Sequence, residues 1–345
     1  MWRGILAGMK RPTIKDISQL AGVSPTAVSF ALNGRPGISD ATRERVLEIA
    51  RSSGWRPSAA AIALSAGKAG ALGLVIARPE ETFTSERFFM RLIAGVERVL
   101  TPRSLALVLQ FASDVDEELE VYRQWFSRGR VDGVLVIDVR PDDRRPVELD
   151  RLRLPFVVVG APAGFAHPSV QVDDDEIMRH MVQHFAERGV RGLAYVAGDP
   201  STLHTQRRMA AFSTCCAELG VDPLATRTTD YSEATGAAAT TALLDGSERP
   251  RGILYDNEVL TAGGLLALTQ RGIAVPGEIA VASFEDSPLC RIFRPRITAM
   301  HRDPSQLGAM SAELLLDRLA GGTTTHETAA VPVLAERAST AIVNP

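Results

Sequence analysis

The chain has 345 residues, of which 45% are hydrophobic and 23% charged, a composition that excludes a disordered or fibrous protein and suits two or three globular domains. No run reaches the roughly 18 apolar residues of a membrane span, and the apolar stretch at the start is too short for the core of a signal peptide. The three cysteines, two of them adjacent, form no disulfide framework and favour a reducing cytoplasm. We therefore expect a cytoplasmic protein with no membrane partner.

The net charge of −3 conceals an uneven distribution. Residues 1–57 contain nine Lys and Arg against four Asp and Glu, a balance of +5, so the other 288 residues carry −8. A basic N-terminal segment in an otherwise acidic chain is typical of a protein in which one small domain binds phosphates. An unevenly charged, solvated surface is the alternative.

Capping residues and the spacing of apolar residues predict three short helices in an N-terminal domain of residues 10–57. These helices are expected at Ile14 to about Ala21, Pro25 to about Leu32, and Asp40 to about Ser52. Thr13 is followed three residues later by Asp16, an acidic form of the capping box that starts the first helix. Ser24 and Ser39 are the expected N-caps of the second and third helices.

The first two helices are joined by Ala21-Gly22-Val23-Ser24, which is the spacing of a helix-turn-helix. Gly22 permits the left-handed backbone of a sharp turn. At the start of the second helix, backbone N–H groups and the helix dipole favour a DNA phosphate. The side chains on its outer face, which could reach base edges, are Pro25, Thr26, Ser29 and Phe30. An ordinary three-helix bundle is the alternative.

The next segment, residues 58–68, is rich in alanine and prone to helix formation. About seven residues cannot hold a helix alone in water, because nucleation costs more than so short a run returns. We expect this segment to become helical only against a partner. The alternative is a plain linker with one buried leucine.

In the body of the chain, residues 69–345, short apolar runs alternate with amphipathic segments. The expected strands are Leu72–Ala77, Leu105–Leu109, Gly133–Ile137, Pro155–Val159, Leu193–Ala197, Gly252–Tyr255 and Ile279–Phe284. This alternation predicts an α/β body of two doubly wound lobes, each a parallel sheet covered by helices on both faces. Ligands of such folds bind beyond the carboxyl ends of the strands, here in the cleft between the lobes.

Motifs of enzymes and metal sites are weak in this sequence. His180 and His184 have the spacing of metal ligands on a helix, but the glutamate of a metalloprotease motif is missing between them. The acidic run 173–176 suits the start of a helix better than a calcium site. The sequence contains neither a glycine-rich dinucleotide loop nor a Walker-type phosphate loop. We expect no catalytic residues, no metal and no cofactor.

Several runs of the N-terminal domain resemble the opening signature of the lactose-repressor (LacI/GalR) family. They are Thr13–Ser24, Val28-Ser29, Leu32–Gly34, Thr42–Val46 and Gly54–Ser58. Further runs at 131–134, 265–276 and 336–340 extend the resemblance over nearly the whole chain. It implies a body of the periplasmic-binding-protein type, with an N-lobe of about 69–168 and 299–325 and a C-lobe of about 169–298 and 326–345.

The resemblance also implies how the protein meets DNA. Residues 58–68 correspond to a hinge helix that pairs with its dimer mate in the minor groove and wedges Leu64 between base steps. Phe30 departs from the family, where a polar or basic residue often contacts bases, although its ring could pack on a thymine methyl. The implied DNA contacts are Thr13, Ser24, Pro25, Thr26, Ala27, Ser29, Phe30, Asn33, Arg56 and Leu64.

The resemblance further implies an effector site in the cleft, with contacts from Phe89, Asp173, Arg208, Tyr231, Asn257 and Glu285. Arg208 would grip ligand hydroxyls or a carboxylate, and Tyr231 would stack on a sugar or a base. Glu285 replaces the usual aspartate. Together these side chains suit a polyol such as a sugar or nucleoside, while Arg208 as a surface charge and Tyr231 as a core aromatic are the alternatives.

The implied function is that of a homodimeric repressor on a near-palindromic operator. A small ligand in the cleft would change the angle between the lobes and so order or release the hinge. Whether the ligand induces or corepresses stays open. The alternatives are a sugar-binding protein without a regulatory role and an α/β enzyme.

Overall fold

The computed structural model describes residues 12–32, 34–55, 68–78 and 87–341. The chain divides into two units, residues 1–69 and 70–345. No helix in the described ranges has the length and apolar character needed to cross a bilayer.

The first unit contains the three predicted helices, with the predicted bounds: α1 (Ile14–Ala21), α2 (Pro25–Leu32) and α3 (Asp40–Ser52). The capping box is confirmed, because the Thr13 backbone N–H donates to Asp16 Oδ2 (2.7 Å) and the Asp16 N–H donates to Thr13 Oγ1 (3.3 Å). Gly22 has φ +64°, which confirms the left-handed turn between α1 and α2. Side chains from all three helices form the small core: Ile17, Ala21, Val28, Ala31, Val46 and Ala50.

The first lobe of the second unit is a parallel six-stranded sheet. In spatial order its strands are β11 (His326–Thr328), β5 (Ser169–Gln171), β4 (Phe156–Ala161), β3 (Gly133–Val136), β1 (Ala71–Ile76) and β2 (Ala106–Phe111). Helices α4 (Arg87–Leu100) and α12 (Pro304–Leu319) cover one face, and α5 (Val115–Ser127) and α6 (Arg144–Leu152) cover the other. Successive residues of β1 point to opposite faces, so Leu74 and Val75 belong to different cores.

The second lobe is also a six-stranded sheet, parallel except for one edge strand. Its strands in spatial order are β12 (Val333–Ala335, antiparallel), β10 (Thr298–His301), β9 (Ala280–Ser283), β8 (Gly252–Tyr255), β6 (Gly192–Ala197) and β7 (Asp222–Thr228). Its helices are α7 (Asp174–Glu187), α8 (Leu203–Leu219), α9 (Glu233–Leu244), α10 (Glu258–Gln270) and the short α11 (Pro288–Ile292). All seven predicted strands are confirmed to within two residues, as is the class of fold.

The chain crosses between the lobes three times, and the expected lobe boundaries need correction. The expected split placed residues 169–171 and 326–328 in the C-lobe, yet β5 and β11 pair with each other in the first sheet. It placed 299–301 in the N-lobe, whereas β10 pairs with β9 and β12 in the second sheet. The crossovers therefore follow these three strands, because each strand stays paired within its own sheet up to its last residue.

A buried ion cluster sits under the carboxyl edge of the first sheet. The Arg145 side chain is 2% exposed, and its Nη1 donates to both carboxylate oxygens of Glu118 (3.0 and 2.9 Å). Its Nη2 donates to Asp143 Oδ2 (2.7 Å) and to the backbone carbonyl of Asp138 (2.9 Å). The Tyr122 hydroxyl donates to Glu118 as well. Arg145 thus ties α5 and α6 to the turn that follows β3.

Candidate effector cleft and nucleic-acid interface

A polar cleft lies between the lobes, where the carboxyl ends of the strands meet. The described side chains that line it include Arg78 after β1, Asp138 after β3, Tyr231 after β7, Asn257 after β8 and Glu285 after β9. Helices α4 and α8 contribute Phe89 and Arg208. Because neighbouring parallel strands all end at this edge, residues distant in sequence converge on one site.

Arg208 is the centre of the second-lobe wall of the cleft. Its Nε donates to Asp174 Oδ1 (2.9 Å), its Nη1 donates to Asp256 Oδ1 (3.0 Å), and the guanidinium lies 4.1 Å from the centroid of the Phe284 ring. Burial lowers the pKa of Arg208, but the carboxylates of Asp174 and Asp256 outweigh it and raise that pKa well above its ordinary value. The side chain is therefore a fixed cation, held in place by two carboxylates and a ring.

Tyr231 extends the same network in a strained conformation. Its φ is +69°, which is rare for an aromatic residue. Its hydroxyl donates to Asp256 Oδ2 (2.7 Å) and lies 3.1 Å from His204 Nε2. Burial, followed by the nearby Arg208 charge, lowers the pKa of His204 to about 4, so the ring is neutral at neutral pH and can donate to the tyrosine oxygen. Gly198 makes room for the ring, because a Cβ there would lie 1.8 Å from Tyr231 Cζ.

Arg78 connects the two walls of the cleft. Its Nε and Nη2 donate to the Asp138 carboxylate (2.6 and 2.8 Å), a bidentate pair within the first lobe. The guanidinium also lies 5.2 Å from the ring centroid of Phe89 and 4.8 Å from that of Tyr231 in the second lobe. A cation between two aromatic faces is favourable when water is excluded. Arg78 therefore joins the lobes across the cleft.

Other bonds also join the lobes around the cleft. The Leu203 N–H donates to the Val139 carbonyl (2.7 Å), and Arg140 Nη1 donates to Ser201 Oγ (3.1 Å). Arg302, on the crossover after β10, pairs with Glu285 of the second lobe and lies 5.2 Å from the ring centroid of Phe88 of the first. All these contacts depend on the angle between the lobes.

Five of the six predicted effector residues line the cleft: Phe89, Arg208, Tyr231, Asn257 and Glu285. The exception is Asp173, which instead caps α7, where its Oδ1 accepts from the Glu176 N–H (3.0 Å). Its neighbour Asp174 occupies the cleft wall and pairs with Arg208. Asp173 lines an adjoining cavity that shares Phe88 and Arg302 with the cleft, and its role toward a ligand stays a prediction.

Sequence reasoning missed several charged residues of this region, among them Arg78, Asp138, Asp256 and Arg302. Asp138 and Asp256 each follow a correctly predicted strand at once, and Arg78 follows the first strand closely. The rule that polar residues at strand ends face the ligand cleft would have found these three. Arg302 directly follows β10, but that strand was not among the seven predicted, so the same rule would not have found it.

The start of α2 is the exposed part of the predicted DNA-binding surface. Ser24, Pro25 and Thr26 are exposed there. Ser24 Oγ accepts from the Ala27 N–H (3.2 Å), so Ser24 is the N-cap of α2, as predicted. Ala27 and Ser29 are half-buried, whereas Thr13 is exposed. Phe30 is half-buried as well, and a Cβ at Gly37 would lie 3.3 Å from its ring, so part of the ring packs inside the domain. Asn33, Arg56 and Leu64 lie outside the described residues.

The two histidines with metal-ligand spacing have separate partners. His184 is buried, with Nε2 2.7 Å from Thr340 Oγ1 and Nδ1 3.1 Å from Arg188 Nη1. His180 is half-buried, and its Nε2 lies 3.3 Å from Glu176 Oε1. In the described part of the chain, no group of three or more His, Cys, Asp or Glu side chains is placed to hold a metal ion.

A helix-turn-helix followed by two parallel-sheet lobes around a polar cleft defines a DNA-binding regulator with a ligand-binding domain. Comparison with known families agrees. Residues 13–58 match the family described as bacterial regulatory proteins, lacI family, and residues 182–340 match the periplasmic binding protein-like domain. The chain combines a LacI-family DNA-binding domain with a periplasmic binding protein-like domain, and its relatives are transcriptional regulators of this type, as the sequence motifs predicted.

Similar proteins cover almost the whole chain. The transcriptional regulator CelR of Thermobifida fusca is 29% identical, over 91% of this chain and 94% of its own length. A solved complex of CelR with cellobiose has a TM-score of 0.72 at 27% identity and covers 95% of this chain and 100% of that one. The lac repressor dimer bound to operator and the anti-inducer ONPF has a TM-score of 0.84 over 96% of this chain and 99% of that one. At 21% identity it shows the shared fold alone.

Proposed function

We propose that this regulator is a repressor that binds a near-palindromic operator as a homodimer and is controlled by a small ligand in the cleft. The observation that carries the proposal is the exposed, serine-capped start of α2 in a helix-turn-helix of LacI sequence. Backbone N–H groups at such a helix start suit a phosphate, and they place the following side chains at the major groove. The protein would act in the bacterial cytoplasm at the nucleoid, in keeping with its buried free cysteines.

Control by a ligand follows from the contacts between the lobes. A ligand that prefers one lobe angle shifts the population toward that angle, in proportion to its difference in affinity. CelR binds cellobiose in its solved complex, which supports a sugar-like or nucleoside-like effector here. In this proposal residues 58–68 pass the change to DNA, with Leu64 as the minor-groove wedge implied by the family resemblance.

The cleft suits binding rather than catalysis. The carboxylates of Asp138, Asp174 and Glu285 are each paired with a guanidinium. Paired carboxylates hold their charge and their position, whereas a general base must be able to accept a proton from the ligand. We therefore propose that the effector leaves the cleft unchanged.

Adding a negative charge at the start of α2 should abolish specific DNA binding. Thr26→Glu places a carboxylate where we expect phosphates and base edges, and we expect at least about 30-fold weaker binding to the operator. The measurement is a gel shift with DNA from upstream of the protein's own coding region. Ser52→Glu, which adds the same charge to an exposed residue at the end of α3, is the control. The proposal would be wrong if the wild-type protein failed to bind this DNA even at low salt.

The dimer is supported by an exposed apolar edge strand. Leu109 of β2 is 39% exposed at the edge of the first sheet, and such edges are normally covered. If a second copy covers this edge, Leu109→Asp should weaken dimerisation at least tenfold, measured by sedimentation velocity. Gln110→Asp adds the same charge on the opposite side of the strand and should leave the dimer intact. Equal effects of the two variants would argue against this interface.

A further inference from the structure

Two buried nitrogen atoms of cleft arginines have no hydrogen-bond partner. Among the described residues, the buried side-chain nitrogen and oxygen atoms in this condition are Nε of Arg207, Arg302 and Arg318. Arg207 and Arg302 line the cleft, whereas Arg318 lies on α12 and is not part of it. Buried hydrogen-bond donors in proteins almost always have an acceptor. Two buried donors without one at a ligand cleft therefore point to an acceptor supplied by the ligand.

Four acceptor side chains in and behind the cleft wall, by contrast, already accept hydrogen bonds within the protein. Asp138 accepts two bonds from Arg78, and Asp174 accepts from Arg208. Asp256 accepts from Tyr195, Tyr231 and Arg208. Asn257 Oδ1 accepts from the Leu260 N–H (2.9 Å). The cleft therefore has two unpaired donors to offer, while these four acceptor side chains are engaged.

This imbalance distinguishes between classes of ligand. Every hydroxyl of a neutral sugar is a donor as well as an acceptor, so a neutral sugar needs protein acceptors. A carboxylate or a phosphate brings acceptor oxygens and no donors of its own when ionised. Its bonds to a guanidinium are charge-assisted and are bidentate where the fork is accessible.

The electrostatic setting of Arg302 agrees with an anionic partner. Burial, together with the nearby charge of Arg208, lowers the pKa of Arg302 to about 10. Glu285 is the partner of Arg302 in the cleft and compensates its charge. A ligand anion would stabilise Arg302 in the same way as Glu285 and would compete with that carboxylate.

We propose that the effector is an acid, whose carboxylate or phosphate group binds Arg302 with help from Nε of Arg207. This inference rests on the proposed function, because it assigns the ligand class of the same cleft. It narrows the expected polyol to a charged derivative such as a sugar acid or a sugar phosphate. Glu285 then acts as the internal anion that the ligand displaces from Arg302.

The test is isothermal titration of the full-length protein with gluconate, glucuronate, glucose 6-phosphate, inorganic phosphate, glucose and cellobiose. We expect at least one acid to bind at least tenfold more tightly than both neutral sugars. Binding of gluconate or glucuronate would identify a carboxylate site. Binding of glucose 6-phosphate or inorganic phosphate would identify a phosphate site. A panel in which no acid binds, or in which a neutral sugar binds as tightly as the best acid, overturns the proposal.

Two variants should change acid binding in opposite directions. Arg302→Gln should weaken it at least tenfold, whereas Glu285→Gln should strengthen it severalfold, because it removes the competing carboxylate. A purely structural role would weaken binding in both variants. Arg318→Gln removes an equivalent unpaired Nε outside the cleft and should leave the affinity unchanged. Equal affinities of wild type and Arg302→Gln would also overturn the proposal.

Failure of this inference can be separated from failure of the proposed function. A gel shift with operator DNA in the absence of any sugar or acid tests the DNA-binding role alone. If DNA binds and only neutral sugars enter the cleft, the repressor proposal stands and the acidic effector is wrong. If an acid binds but DNA does not, the ligand class stands and the repressor proposal is wrong.

Discussion

Replacing Arg145 by methionine should lower the free energy of unfolding by about 3–5 kcal/mol, the cost of breaking a buried ion pair from one side. Glu118 and Asp143, whose side chains are 0% and 5% exposed, would lose the cation that compensates their charge. Burial already raises the pKa of Glu118 against the opposing influence of Arg145, so the variant should take up a proton there rather than keep the charge. Urea denaturation at neutral pH measures the change.

The neighbouring Arg144 provides a matched control. It pairs with Asp116 at 2.6 Å, but the two side chains are 65% and 77% exposed. Exposed pairs contribute about 0–1 kcal/mol, so Arg144→Met should change stability by less than 1 kcal/mol. Similar losses in the two variants would show that the buried cluster has no special role in stability.

The Arg145 cluster also matters for the cleft. Arg145 donates to the Asp138 carbonyl, and Asp138 has φ +52°, a left-handed conformation that needs outside support. The Asp138 carboxylate in turn holds Arg78 between Phe89 and Tyr231. We expect that any Arg145 variant stable enough to purify will bind the effector more weakly, although Arg145 lies behind the cleft wall.

Substituting Gly198 by alanine should weaken ligand binding and lower the free energy of unfolding together. The added Cβ would overlap the Tyr231 ring at 1.8 Å, so the ring must move and its bond to Asp256 must lengthen or break. Overpacking of this kind costs about 1–3 kcal/mol. We expect at least tenfold weaker binding of whichever titrated ligand the wild type binds, measured by calorimetry alongside urea denaturation.

Two further variants isolate the clash as the cause. A Cβ at Gly277 would lie 3.5 Å from that of Ala274, an ordinary contact, so Gly277→Ala should change stability by about 0.5 kcal/mol or less. In a Tyr231→Gly background the ring is absent, so adding Gly198→Ala should lower the free energy of unfolding only slightly further. Additive losses in the double variant would contradict the steric explanation.

The sequence alone determined the elements and the kind of protein. Thr13 with Asp16, Gly22 and Ser24 specify the start of α1, the turn and the start of α2, because caps and left-handed turns depend on residues within four positions of each other. The seven apolar strands were predictable because buried parallel strands are continuous hydrophobic runs. The family resemblance then implied the architecture and six candidate effector residues, five of which line the cleft.

Only the tertiary structure decided which charged groups meet in the cleft and where the lobes divide. The pairs Arg78 with Asp138 and Arg208 with Asp256 join residues 60 and 48 positions apart. The crossovers were misplaced because β5 and β11 are only three residues long and carry little pattern. Asp174 rather than Asp173 pairs with Arg208, because the Asp173 carboxylate caps α7 and accepts from the Glu176 N–H. These features depend on how distant segments pack, and local sequence patterns record only the interactions between near neighbours.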